Sequence, residues 1–132
     1  MKKKKSTPLK LQVQHYHSPD IDHIEQWVPN NDNVYYHLEM AIGLQDEQRA
    51  DLYFVIIATP AGLAEARQRR SSFQSVIHDR IIVLDDYAWE HVVARIESIL
   101  DSVMIHDRQD SLDELLHHFS WEYERNHLRN KD

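Results

Sequence analysis

One stretch constrains the fold of this chain more than any other. From residue 34 onward, Val34, Tyr36, Leu38, Met40, Ile42 and Leu44 alternate with Tyr35, His37, Glu39 and Gly43. A period of two puts the first set on one face of a strand and the second on the other, so a long strand with one wet face is expected. A polar turn, Gln45 to Arg49, leads into Leu52-Tyr53-Phe54-Val55-Ile56-Ile57-Ala58. Such a nearly unbroken apolar run suits a central strand buried on both faces. The two segments should pair as an antiparallel hairpin, and the rest of the chain must cover them.

The flanking patterns supply that cover. Leu9, Leu11 and Val13 alternate with Lys10, Gln12 and Gln14 as a half-buried strand does, until Ser18-Pro19-Asp20 breaks it. Ile21, Ile24 and Trp27 mark a short helical turn, closed by the loop signal Val28-Pro29-Asn30-Asn31-Asp32-Asn33. After the hairpin, Thr59-Pro60 starts a helix, with Thr59 as its cap and Pro60 where no backbone donor is needed. That helix is expected to end at Arg69-Arg70, before a short strand from Arg80 to Leu84.

Asp85-Asp86 then opens the strongest helical pattern, in which Trp89, Val92, Val93, Ile96, Ile99, Leu100 and Val103 form one stripe. A last helix has Ser111 and Glu114 as a capping box and Leu112, Leu115, Leu116 and Phe119 on one face. Trp121-Glu122-Tyr123-Glu124 closes the chain as a short strand or an ordered tail. The fold class expected is α+β: a mostly antiparallel sheet packed by two to three helices, in a single domain over residues 9–132 behind a flexible basic leader at 1–8.

With no cysteine, the chain has no disulfide, thiolate nucleophile or cysteine-based zinc site. No apolar run approaches the roughly 20 residues of a membrane span, and the leader Met1 to Lys5 lacks the apolar core of a secretion signal. A cytoplasmic location follows as the expectation. The net charge of −7 is carried by the second half: residues 71–132 hold 13 acidic against 6 basic residues, while residues 1–70 hold nine of each. Such a half attracts a basic surface and repels nucleic acid and anionic membrane.

No spacing of residues announces a reaction. Ten histidines invite a metal reading, and His15 with His17 would place two imidazoles on one face of a strand, but no third ligand is evident. His117 and His118 diverge by about 100 degrees on a helix and do not chelate. Asp85-Asp86 as an acid–base pair competes with a simpler role at a helix start, where carboxylates complement the dipole. Gly43 and Gly62, the two glycines, lie in no phosphate-cradling loop. Trp89 belongs to the apolar stripe, whereas Trp27 and Trp121 adjoin polar segments as core lids or interface anchors.

A set of ordered motifs carries a resemblance. His17-Ser18-Pro19-Asp20, Trp27-Val28-Pro29 before a strand, Ala58-Thr59-Pro60 with Leu63 after one, Ser111-x-x-Glu114-Leu115 and Trp121-Glu122-Tyr123-Glu124 together resemble the Imm8 family of immunity proteins. The chain departs from that pattern in having few glycines around its hairpin, a basic leader, and Arg125 after the tryptophan motif.

The resemblance implies a cytoplasmic antidote, without cofactor or catalysis, encoded beside a polymorphic or contact-dependent growth-inhibition toxin. The implied partner is a basic C-terminal toxin domain, a nuclease, and neither nucleic acid nor membrane. Since a nuclease presents a basic cleft to phosphates, an acidic inhibitor can fill it with carboxylates. The residues expected to bind the partner are Asp85, Asp86 and Glu90 at one helix start, Asp110, Asp113 and Glu114 at the next, and Trp121, Glu122 and Glu124. The alternative is a small ligand-binding domain or enzyme using scattered histidines and carboxylates. A third reading, a nucleic-acid or membrane adaptor, rests on Lys2 to Lys5.

Overall fold

A computed structural model of the chain describes residues 10–45, 48–69, 80–103, 115–116 and 118–121. The hairpin stands at its centre. β2 (Tyr35–Leu44) pairs antiparallel with β3 (Asp51–Ala58), with Tyr35 opposite Ala58 and Ile42 opposite Asp51. β1 (Leu11–His17) adds antiparallel to the free side of β2. The other edge of β3 is shared: β4 (Ile81–Val83) runs parallel to Ile56–Ala58, and β5 (Ser120–Trp121) runs antiparallel to Tyr53–Phe54. The sheet is therefore mostly antiparallel with one parallel pair, and the β3-to-β4 crossover is made by α1 (Pro60–Arg69).

The alternation of β2 is realised as expected. Tyr36, Leu38 and Met40 are fully buried on one face, together with Tyr53, Val55 and Ile57 of β3 and Ile82 of β4. Against this face lies α2 (Trp89–Ser102), whose Val92, Ile96 and Leu100 are buried, with Val103 just beyond its end. Leu115 and Phe119 join the same core. The C-terminal half of β3 is buried on both faces. Ile56 and Ala58 point away from the main core, as their partners His37 and Tyr35 do, and α1 contacts β2 and β3 with its own Ala66 buried. Leu52 and Phe54, toward the other end, keep partial exposure.

β1 departs from simple alternation. Val13 pairs with Ile42, but His15 pairs with Ala41, so Gln14 is an extra residue in a bulge. The bulge resets the parity. Tyr16 falls opposite Met40, on the core face with Leu11 and Val13, and His15 and His17 go to the other face.

The smaller expected elements are partly realised and partly corrected. The turn near Ile24 is a 3-10 turn, Ile24–Gln26, entered through a left-handed His23. α2 begins at Trp89 with Ala88 as its N-cap, so Asp85 and Asp86 lie before the helix and do not cap it. Two helices are described; the expected capping box at Ser111 and Glu114 lies outside the described residues, as does the leader. Thr59 does cap α1: its hydroxyl accepts the Gly62 N–H at 3.2 Å and the Val34 N–H at 3.1 Å, and donates to the Asp32 carbonyl.

Candidate functional site

The register gathers the loops at one end of the sheet. Tyr35 opens β2 opposite Ala58, the last residue of β3, and Ala58 lies beside Val83, the last residue of β4. The loop at 27–34, the start of α1, and the segment between β4 and α2 therefore emerge together. That segment carries Asp85 and Asp86, and the first turn of α2 carries Glu90; all three are exposed.

An aromatic cluster holds the segment in place. The Tyr87 hydroxyl lies 2.9 Å from the hydroxyl of buried Tyr36, and the Trp27 ring meets both tyrosines edge-on, at 5.5 Å from Tyr87 and 5.8 Å from Tyr36. Burial pushes both phenols above their ordinary range, so both remain neutral hydrogen-bonding groups. Trp27 acts as a lid on the core, and Val28 beside it is 78% exposed. His91 donates from Nδ1 to the Asp86 carbonyl at 2.7 Å, which fixes the backbone just before the helix. None of the carboxylates of Asp85, Asp86 and Glu90 has a hydrogen-bond or ion-pair partner among the described residues. Each is left to face solvent or a partner.

Exposed carboxylates also occur beyond the helix start. Trp89 packs edge-on against Tyr16 at 5.0 Å, joining α2 to β1. The Tyr16 phenol is pushed up to about 12, chiefly by burial and then by the carboxylates of Glu97 and Glu25. Along α2, Glu90, Glu97 and Asp101 recur at i, i+7 and i+11, so they form one exposed stripe. Glu25 in the 3-10 turn and Asp22 before it continue that stripe across the end of β1. Sequence patterning did not single out Glu25, Glu97, Asp101 or Tyr16. The i+7 spacing from Glu90 was a usable signal, whereas the approach of Glu25 to α2 depends on tertiary packing.

Of the other expected partner-binding residues, Trp121 lies in β5 opposite Tyr53. Asp110, Asp113, Glu114, Glu122 and Glu124 lie outside the described residues. On the far face of the sheet, His15 and His17 stack at 6.5 Å, and His37 pairs with Asp20 through Nδ1 at 2.9 Å while donating its backbone N–H to the same oxygen at 2.8 Å. Among the described residues, no group of three or more histidines and carboxylates is arranged to hold a metal ion. None of the described helices is long and apolar enough to cross a membrane.

No curated protein and no solved structure matches the chain. Residues 11–126 match the profile of the family described as Immunity protein 8, a span that takes in every strand and helix described above together with the loop end and the acidic stripe, and the chain belongs to that family.

Proposed function

We propose that this protein is a cytoplasmic immunity protein that binds and neutralises a cognate toxin, a nuclease of a polymorphic or contact-dependent inhibition system, through its acidic surface. Family membership makes an antidote role the starting point. The observation that carries the surface is that Asp85, Asp86 and Glu90 are exposed and unengaged by described neighbours, while the segment bearing Asp85 and Asp86 is held by a packed aromatic cluster. A segment whose backbone is already held loses little main-chain freedom on binding, and its carboxylates meet Lys and Arg side chains through charge-assisted hydrogen bonds. In the bound state these groups stand where nucleic-acid phosphates would lie in the toxin's cleft. The acidic residues at 110, 113, 114, 122 and 124, with Trp121, are also proposed to bind the partner.

Inhibition of this kind is stoichiometric and turns nothing over. Co-expression with the toxin domain encoded beside the gene tests it: growth is restored and a stable complex is isolated. Continued killing with no complex would remove the proposal.

A further inference from the structure

The outer edge of β1 presents a second feature that the acidic helix start does not explain. β1 is the terminal strand of the sheet and pairs, among the described residues, with β2 alone. A sheet edge offers a row of backbone donors and acceptors to any extended chain, and most proteins obstruct it with charged side chains or proline. β1, Leu-Gln-Val-Gln-His-Tyr-His, contains no proline, lysine, arginine, aspartate or glutamate. What it does contain is the bulge at Gln14, which twists the strand and spoils a simple in-register match with a copy of itself.

The edge is also grooved. A concavity of about 290 Å³ runs between the first half of β1 and α2, with Leu11, Val13, Glu97 and Asp101 in its walls. A second, of about 450 Å³, runs between the last residues of β1 and the 3-10 turn, with His15, His17, Asp22 and Glu25 in its walls. Tyr16 lines both, so the two concavities adjoin at Tyr16 and together follow the strand as a channel. The channel walls carry four carboxylates, Asp22, Glu25, Glu97 and Asp101, against one ammonium, Lys10.

We infer that this channel takes an extended basic segment of the toxin partner, which adds to the sheet as a strand beside β1. The inference rests on the proposed immunity function and names the part of the partner that is bound. Strand addition supplies main-chain hydrogen bonds, and alternate side chains of the incoming strand supply selectivity. Alternation sends lysines or arginines of one set toward Glu97 and Asp101 on the α2 side of the channel, while Glu25 and Asp22 meet the segment where it passes the 3-10 turn. A second copy of this chain is the wrong occupant, because it would bring the same acidic rim and the same bulge into the contact.

The test uses the full chain and the toxin domain encoded beside it. On complex formation, backbone amides within Leu11–His17 should exchange with deuterium at least about tenfold more slowly, as amides newly paired in a ladder do. The exposed pair E97K/D101K should weaken binding by about tenfold or more, with E97Q/D101N intermediate and all variants equally folded by thermal denaturation. Unchanged exchange in β1 within a tight wild-type complex would overturn the groove while leaving the immunity function standing, as would wild-type affinity in E97K/D101K. Absence of any wild-type complex would overturn both. Concentration-dependent protection of β1 without toxin would show a self-pairing edge and overturn the basic-segment occupant.

Discussion

The hydroxyls of Tyr36 and Tyr87 lie 2.9 Å apart, and through that bond the central strand of the sheet holds the segment that carries Asp85 and Asp86. Tyr36 is fully buried whereas Tyr87 is half-buried, so the two ends of the bond are not equivalent. In Y87F, the Tyr36 hydroxyl keeps its burial and loses its partner, at a cost of about 1–3 kcal/mol. In Y36F, Tyr87 can turn to water and the loss is smaller. The double variant Y36F/Y87F should be more stable than Y87F, because no orphaned hydroxyl remains. Urea denaturation of all four proteins checks this, and strict additivity would show that the bond does not couple the loop to the sheet.

Thr59 makes three hydrogen bonds through one hydroxyl, two to the 32–34 loop and one to α1, and its replacement should be correspondingly costly. T59A removes the cap of α1 and strips the buried Val34 N–H of a side-chain acceptor, for a combined loss of about 2–3 kcal/mol. T59S keeps the oxygen and should recover most of that. At Gly62 the restriction is steric: a β-carbon there would run into the backbone of Val34, so G62A should destabilise by about 2 kcal/mol or more despite alanine's better helix propensity. Thermal unfolding ranks the three variants; G62A as stable as wild type would mean that α1 and the 32–34 loop are not packed this way.

The parts of this architecture legible in the sequence are those written in local periodicity. The alternation of Val34 to Leu44, the apolar run of β3, the Thr59-Pro60 cap and the stripe of α2 each depend on near neighbours in the chain, and each is realised. The bulge at Gln14 was not legible, since Leu11, Val13 and His15 continue a plain alternation and only pairing with β2 shows that Tyr16 belongs with the core. The same bulge hid the groove, which needs Tyr16 on the side facing Glu97 and Glu25. For the candidate surface, acidic residues before an apolar stripe suggested helix caps, yet Ala88 is the cap. The carboxylates of Asp85 and Asp86 are thereby relieved of a structural duty that sequence had assigned to them.

Alkaline solution should unfold the protein through its tyrosines. Burial raises the phenols of Tyr16, Tyr36, Tyr53 and Tyr87 above the value near 10 that they have in the unfolded chain, Tyr16 to about 12. A group that holds its proton more tightly when folded contributes its full stability below the unfolded value and loses it as pH rises toward the folded one. Stability should therefore be insensitive to these groups near neutrality and fall progressively above about pH 10. Denaturation midpoints measured across this range, with tyrosinate absorbance followed in parallel, provide the check. Y16F should lose stability less steeply than wild type; an identical slope would mean that Tyr16 is not held in the packed site between α2 and the 3-10 turn.

Reversing the charges of Asp85, Asp86 and Glu90 together separates a binding role from a folding one. Because Ala88 caps α2 and none of the three carboxylates is engaged by a described neighbour, their removal takes away no hydrogen bond on which the described fold depends. The dipole of α2 is affected through Glu90 alone. D85N/D86N/E90Q should therefore stay within about 0.5 kcal/mol of wild type per site, as substitutions at exposed positions do. D85K/D86K/E90K places like charges against the basic toxin surface proposed above. It should slow association most at low ionic strength, and lose that deficit as salt is added, because exposed charges act over a Debye length of about 10 Å at 0.1 M. Stopped-flow association with the toxin domain over a salt series measures this directly. A lysine variant that folds, binds at the wild-type rate and still protects cells would return these three residues to an ordinary solvated surface, and would leave the edge of β1 to carry the interaction alone.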